Sequence, residues 1–364
     1  MGPLTGLRVV EMAGLGPTPH ACMQLADLGA DVVHVARPGP NAMAELAGAT
    51  DNVLRGRTSV VADLKSSTEL AEVLDLVSVA DVLIEGFRPG VMERLGLGPD
   101  VCHDRNPRLV YARMTGWGRE GPLAEAAGHD LNYLALSGVL HMIGPDRSPP
   151  PPPLTLVGDY GGGSMFLVTG VLAALWERER SGLGQVVDVA MADGIGVLSQ
   201  KMWAMRAAGT WSEQRESNLL DGAAPFYATY ECADGRFLAV AAIERKFFAE
   251  LVAGLDLGSV SEFGDQYDRA SWPAWRTAIE ARIRTRPRDE WAGLFEGTDA
   301  CVAPVLTMTE AIDHPHAQAR AAFIDLDGAV QPAPAPRFQR SELSTPTPPP
   351  TSSEPMAKVL DRWR

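Results

Sequence analysis

Short, nearly continuous apolar runs recur along the first third of the chain at Leu7–Met12, Asp31–Ala36, Ser59–Leu64, Asp81–Phe87 and Leu109–Met114, with a sixth at Gln185–Met191. Their β-branched content predicts strands buried on both faces. Apolar positions at helical spacing fall between several of them, notably over Pro19–Leu28 and Thr68–Ser78. Such alternation predicts a doubly wound α/β domain with a parallel sheet. Further helices are expected over Asp130–Ile143 and Ser164–Arg180, with Pro149–Pro153 forcing an extended loop before Asp159. Another is expected over Gly194–Gly209, whose Met and Trp stripe suits a core or a subunit interface.

From Asn218 to Phe323 the pattern changes. Tyr227–Cys232 and Arg236–Ala242 flank the hairpin signal Ala233-Asp234-Gly235, and amphipathic helices follow around Phe247–Gly254, Trp272–Arg284 and Arg288–Phe295. The expected organisation is therefore a large α/β domain over 1–217, a small α+β domain over 218–323, and a C-terminal segment over 324–364. In that segment Ser341–Glu354 is rich in Pro, Ser and Thr and should run extended before a short helix at Met356–Trp363.

Composition narrows the function. With 46% hydrophobic and 21% charged residues in 364, the chain is an ordinary globular protein. The longest apolar stretch, Met165–Trp176, is short for a membrane span and the start lacks a signal-peptide core, so no membrane partner and a cytoplasmic location are expected. Four scattered cysteines and dispersed histidines predict neither disulfides nor a metal site. A net charge of −14 argues against a nucleic-acid partner. Within that acidic chain Arg37, Arg55, Arg57, Lys65, Arg88 and Arg94 cluster early, which leaves room for a positive pocket that takes a small phosphorylated ligand.

Two segments carry the candidate chemistry. Gly128-His129-Asp130 and Gly158-Asp159-Tyr160-Gly161-Gly162-Gly163 each place a proton-transfer group at an expected loop-to-helix junction, where free N–H groups can hold a developing negative charge. That pairing suits chemistry at a carbon next to a carbonyl. The helix dipole should favour ionised Asp159 and nearby apolar surface should oppose it. The glycine triplet reads either as a close-approach loop with oxyanion donors or as a tight turn, and Asp130 as a catalytic group or a helix cap. Near the start, Gly14-Leu15-Gly16 between two strands, with Arg37 beyond, imitates an NADP fingerprint, but Pro19 stands where the third glycine belongs.

The runs Gly6–Met12, Leu28–Val33, Ala62–Lys65, Glu85–Gly90 and Ala112–Gly118 together make the chain resemble the family III coenzyme A transferases, and within them the branch that racemises 2-methylacyl-CoA thioesters. The resemblance implies a Rossmann-like large domain built from both chain ends, a smaller α+β domain, and an interlocked homodimer with each active site between domains of different subunits. It also implies His129 and Asp159 as the two acid/base groups, with Glu244 holding the histidine. Arg37, Ala62, Asp63, Leu64, Lys65, Gly86, Phe87, Arg88 and Arg94 match coenzyme A contacts; Gly128, Asp130, Leu131, Asn132 and Tyr133 line the thioester end. The substrate is then an acyl-CoA thioester and no separate cofactor is needed. Methionines such as Met142, Met165, Met202 and Met205 could line its acyl pocket. Three alternatives stand beside this reading: a transferase with Asp159 as covalent nucleophile, a catalytically silent acyl-CoA-binding protein, and, more distantly, an NADP oxidoreductase.

Overall fold

The computed structural model describes residues 2–39, 51–258 and 264–364. Six parallel strands, β1 (Arg8–Met12), β2 (Asp31–Ala36), β3 (Arg57–Val61), β4 (Val82–Glu85), β5 (Val110–Thr115) and β6 (Val186–Ala190), form one sheet in the order β3-β2-β1-β4-β5-β6. The order turns back between β1 and β4, the switch point at which ligands of open α/β sheets bind beyond the strands' carboxyl ends. Helices Pro17–Asp27 and Met165–Ser181 pack on the sheet, and helix Ser67–Val79 shares a core with Val10, Val33, Val60, Leu83 and Tyr111, all at most 1% exposed.

The strand over Ser59–Leu64 is displaced: β3 begins at Arg57 and stops at Val61. Arg57 reads as a loop residue, yet its guanidinium is wholly buried against Glu11 of β1 at 2.8 Å and donates to the Val53 and Pro19 carbonyls. Beyond Val61, Asp63 accepts from Lys65 N–H at 3.0 Å and turns the chain into the next helix. The helix expected over Asp130–Ile143 ends at Leu136, before Gly138 turns left-handed. Gly194–Gly209 is two helices, Met191–Leu198 and Gln200–Ala207, separated at Ser199.

Pro149–Pro153 lie outside helix and strand, but Asp159 is not at a loop-to-helix junction. Val157–Ser164 is a π-helix running straight into Met165–Ser181. Its glycines serve packing: Gly162 and Gly194 bring two helix backbones so close that a Cβ on Gly194 would fall 1.9 Å from the Gly162 carbonyl oxygen. The joined helical run Leu154–Ser181 has 28 residues and, by length and composition, could cross a membrane, which the shorter apolar stretch does not suggest. Leu167, Val168, Val171 and Ala174 on it are buried in the protein.

The chain forms two compact units, 1–139 with 152–200 and 321–364, and 140–151 with 201–320. The second unit thus takes in 140–151 and 201–217, which the sequence assigns to the large domain. The reason lies in Arg215, which donates to the carbonyls of Pro145 and Ser148, and in His141, which meets the Glu213 carbonyl at 3.0 Å. Within this unit β7 (Tyr227–Glu231), β8 (Phe237–Ala241) and β9 (Val302–Pro304) form an antiparallel sheet covered by helices Arg245–Gly254, Trp272–Ile283 and Arg288–Phe295. Phe226, Phe248, Trp275 and Trp291 fill its core.

The C-terminal segment returns to the first unit. It contributes a hairpin, β10 (Phe323–Leu326) with β11 (Ala329–Pro332), and an extended tail whose Thr347 carbonyl accepts from Gly56 N–H at 2.9 Å. The last helix, Met356–Trp363, buries Met356, Val359, Leu360 and Trp363 in the core of the parallel sheet.

Candidate active site at the switch point

Gly16 ends the loop after β1 with φ +67°, a conformation that favours glycine, and a Cβ there would lie 3.0 Å from Asp159 Oδ2. The π-helix therefore delivers the Asp159 carboxyl to the first βα turn of the sheet. Asp130, first residue of helix Asp130–Leu136, accepts Asp159 N–H on Oδ1 at 2.7 Å and also takes the Gly158 N–H. Its carboxylate thus caps the π-helix and not its own helix. The cap of its own helix is His129, whose N–H donates to Asn132 Oδ1 at 3.0 Å. These bonds fix His129, Asp130 and Asp159 relative to one another.

Burial pushes the Asp159 carboxyl up to about 6; the Asp130 charge adds to the rise and His129 opposes it. Burial is therefore the largest influence on this carboxyl. Asp130 is also raised by burial, against the two N–H groups it accepts. Tyr133 closes the floor with its hydroxyl on the Gly128 carbonyl at 2.5 Å and its ring edge-on to Trp117 at 4.7 Å. Burial raises the Tyr133 hydroxyl, Asp159 raises it further, and Arg88 lowers it, which puts Arg88 within electrostatic reach of the same pocket. His129, Leu131 and Asn132 are exposed.

The remaining predicted residues are distributed along the carboxyl edge of the sheet. Arg37 follows β2, Lys65 follows β3 and Arg88 follows β4, each with an exposed side chain, while Gly86 and half-buried Phe87 form the turn between. Ala62 is core and offers only backbone, Asp63 is engaged in its turn, and Leu64 packs partly on the core. Arg94 lies in the short helix Val91–Arg94 with its guanidinium against Gly90. Arg55 and Arg57 must leave the basic cluster: each is buried in an ion pair, Arg55 with Asp27 at 2.5 Å and Arg57 with Glu11. Glu244 belongs to the second unit, exposed at the start of helix Arg245–Gly254. Met142, Met202 and Met205 also belong there, whereas Met165 is in the first unit.

His20 escapes the sequence reading. Its ring stacks on Tyr160 at 4.0 Å and its Nδ1 lies 2.7 Å from the buried Ser164 hydroxyl, so it braces both ends of the turn that carries Asp159. Burial, with Arg55 and Arg57, lowers its pKa and favours the neutral ring. The motif Pro17-Thr18-Pro19-His20 draws attention as a degenerate nucleotide turn, which hides the histidine in it. The same turn argues against a dinucleotide: Pro17 and Pro19 lack N–H donors, and Asp159 occupies the position where a pyrophosphate would need them. Among the described residues, no group of three or more His, Cys, Asp or Glu could hold a metal ion.

A parallel sheet in Rossmann order with a raised-pKa carboxyl at its switch point, and an imidazole near it, defines an α/β protein whose candidate site holds two groups able to exchange protons. The family model for CoA-transferase family III matches residues 4–357, and the chain belongs to that family. It is 46% identical to mouse α-methylacyl-CoA racemase over 93% of this chain and 87% of the relative, and 43% identical to the human racemase over 97% and 90%. Among solved structures, a CaiB/BaiF family protein from Brucella suis superposes with a TM-score of 0.86 at 26% identity, covering 100% of both chains.

Proposed function

We propose that the protein is a cytoplasmic racemase of 2-methylacyl-CoA thioesters that works by proton transfer through an enolate. The observation that carries this reading is the 43–46% identity to two racemases over more than nine tenths of the chain. The site suits the chemistry. A proton α to a thioester is acidic enough for side-chain bases. One group removes it, the C–H electron pair moves into the enolate, and the second group returns a proton to the opposite face. In one direction neutral His129 accepts and protonated Asp159 gives; in the other the roles exchange. Each group must therefore be available in both states, and a carboxyl held at about 6 meets that demand near neutrality better than an ordinary aspartate. Coenzyme A enters as part of the substrate, its phosphates facing Arg37 and Arg88, and no further cofactor takes part.

The test is proton NMR of one enantiomer of a 2-methylacyl-CoA in D₂O with no acceptor acid or added cofactor. Deuterium at Cα with loss of optical purity is expected. Thioester transfer to an added carboxylic acid without exchange would instead make Asp159 a nucleophile. Replacing His129 or Asp159 singly is expected to abolish inversion while leaving exchange on the face served by the remaining base.

A further inference from the structure

Glu85 ends β4 at the switch point and is 3% exposed. Its Oε2 accepts the Phe87 N–H at 2.7 Å, so the carboxyl folds the chain back on itself within two residues. The charged groups facing it are occupied elsewhere. Arg113 of β5 bridges Asp188 at 3.2 Å and Glu93 at 3.7 Å, and Arg119 in the loop after β5 bridges Glu93 at 2.7 Å. Tyr111 of β5 donates its hydroxyl to Leu97, and Glu93 adds a second negative charge. Among the described residues no cation lies within ion-pair distance of Glu85. A buried carboxyl without a counter-ion costs stability, and stability alone would favour an apolar residue here.

What the carboxyl does hold is the turn that follows. A Cβ on Gly86 would lie 2.5 Å from Thr18 Oγ1, so this backbone is pressed against the start of helix Pro17–Asp27. Phe87 packs partly on the sheet core, and Arg88 leaves the turn exposed, with its charge reaching the Tyr133 pocket. We propose that Glu85 is a positioning residue: by accepting the Phe87 N–H it fixes the Gly86-Phe87-Arg88 turn in the form that presents Arg88 to the phosphates of coenzyme A. The inference rests on the reading of the substrate as an acyl-CoA thioester. Burial holds the Glu85 carboxyl up at about 7, with Glu93 raising it and the Phe87 N–H, Arg119 and Arg113 lowering it, so the group ionises near neutrality. A charge-assisted hydrogen bond is roughly twice as strong as a neutral one, and the turn is held more firmly above that pH.

The experiment is calorimetric titration of the full-length protein with free coenzyme A between pH 5.5 and 8.5, together with racemisation kinetics. Glu85→Leu orphans the Phe87 N–H and is expected to raise Kd and KM by about tenfold with kcat within about twofold, while Glu85→Gln keeps an acceptor and restores binding at low pH. The ratio of the Gln variant's Kd to the wild type's should be near unity at pH 5.5 and rise severalfold by pH 8.5; titration of the ligand's own phosphates cancels in that ratio. Glu85→Leu binding as tightly as wild type, a Leu variant that loses kcat at unchanged KM, or a pH-independent ratio would each overturn the proposal. Should the Leu variant fail to fold, the Gln ratio decides alone. A wild type that binds no coenzyme A overturns the substrate reading and this proposal together.

Discussion

One neighbour, Asp130, acts on Asp159 in two ways. Asp130 fixes its backbone by accepting its N–H, and the same carboxylate raises the Asp159 pKa by like charge. Because the raised value is about 6, the ionised form is lost as pH falls through 6, and the direction of inversion that uses Asp159 as base should slow there. Asp130→Asn keeps an oxygen for the N–H and removes the charge. Its acidic limb should therefore move to lower pH, a shift checked by initial rates of each enantiomer against pH; a limb that stays put would assign the rise to burial alone. Sequence made His129, Asp130 and Asp159 visible because their residue types stand in a short, patterned context. His20 and Glu85 stayed hidden because they act through side-chain contacts that no spacing encodes, made by His20 across the fold to Tyr160 and Ser164 and by Glu85 to a neighbouring backbone N–H.

At the scale of elements, the strands and helices of the first unit followed from periodicity, since strands buried on both faces carry little but apolar residues. The errors have local causes. Arg57 disguised the start of β3 because a buried arginine reads as surface until its partner Glu11 is seen. Asp327-Gly328 between β10 and β11 is a strong hairpin signal that the surrounding proline-rich composition obscured. The π-helix was illegible because a glycine triplet suggests a turn, whereas here the missing side chains let two helices touch. Gly194→Ala forces a methyl group onto the Gly162 carbonyl, so it should destabilise the protein by about 1–3 kcal/mol and, by displacing the π-helix that carries Asp159, lower the exchange rate as well. Thermal denaturation and Cα deuteration measured on one preparation check both; lost stability with full activity would mean the π-helix absorbs the shift elsewhere.

For the molecule as a whole, several apolar side chains around the site have no cover in a single chain. Leu131, Leu136, Leu154, Leu156, Val197 and Leu198, all in the first unit, are 42–72% exposed. Exposed apolar patches of this size are a feature of subunit interfaces, and the homodimer implied by the family resemblance would cover this one. Sedimentation velocity should give twice the 38.9 kDa chain mass, and Leu136→Asp with Val197→Asp should shift the protein toward monomer. A wild-type monomer at micromolar concentration would overturn that implication of the resemblance. Nothing in the apolar pattern of one chain separates a residue destined for the core from one awaiting a partner, which is why the Met and Trp helix was read both ways.

Trp363 and its neighbours on the last helix fill the same core as Val10 and Val33 near the start, while more than a hundred residues of the second unit are inserted between. A ribosome makes the chain in order, so the parallel sheet is synthesised early and must wait with an unfilled hollow until residues 356–363 emerge. The inserted unit, complete by residue 320, has all its parts first. The unit that carries the candidate site is thus the last to become whole, and the hollow in its sheet stays open from the completion of β6 at Ala190 until the last helix emerges.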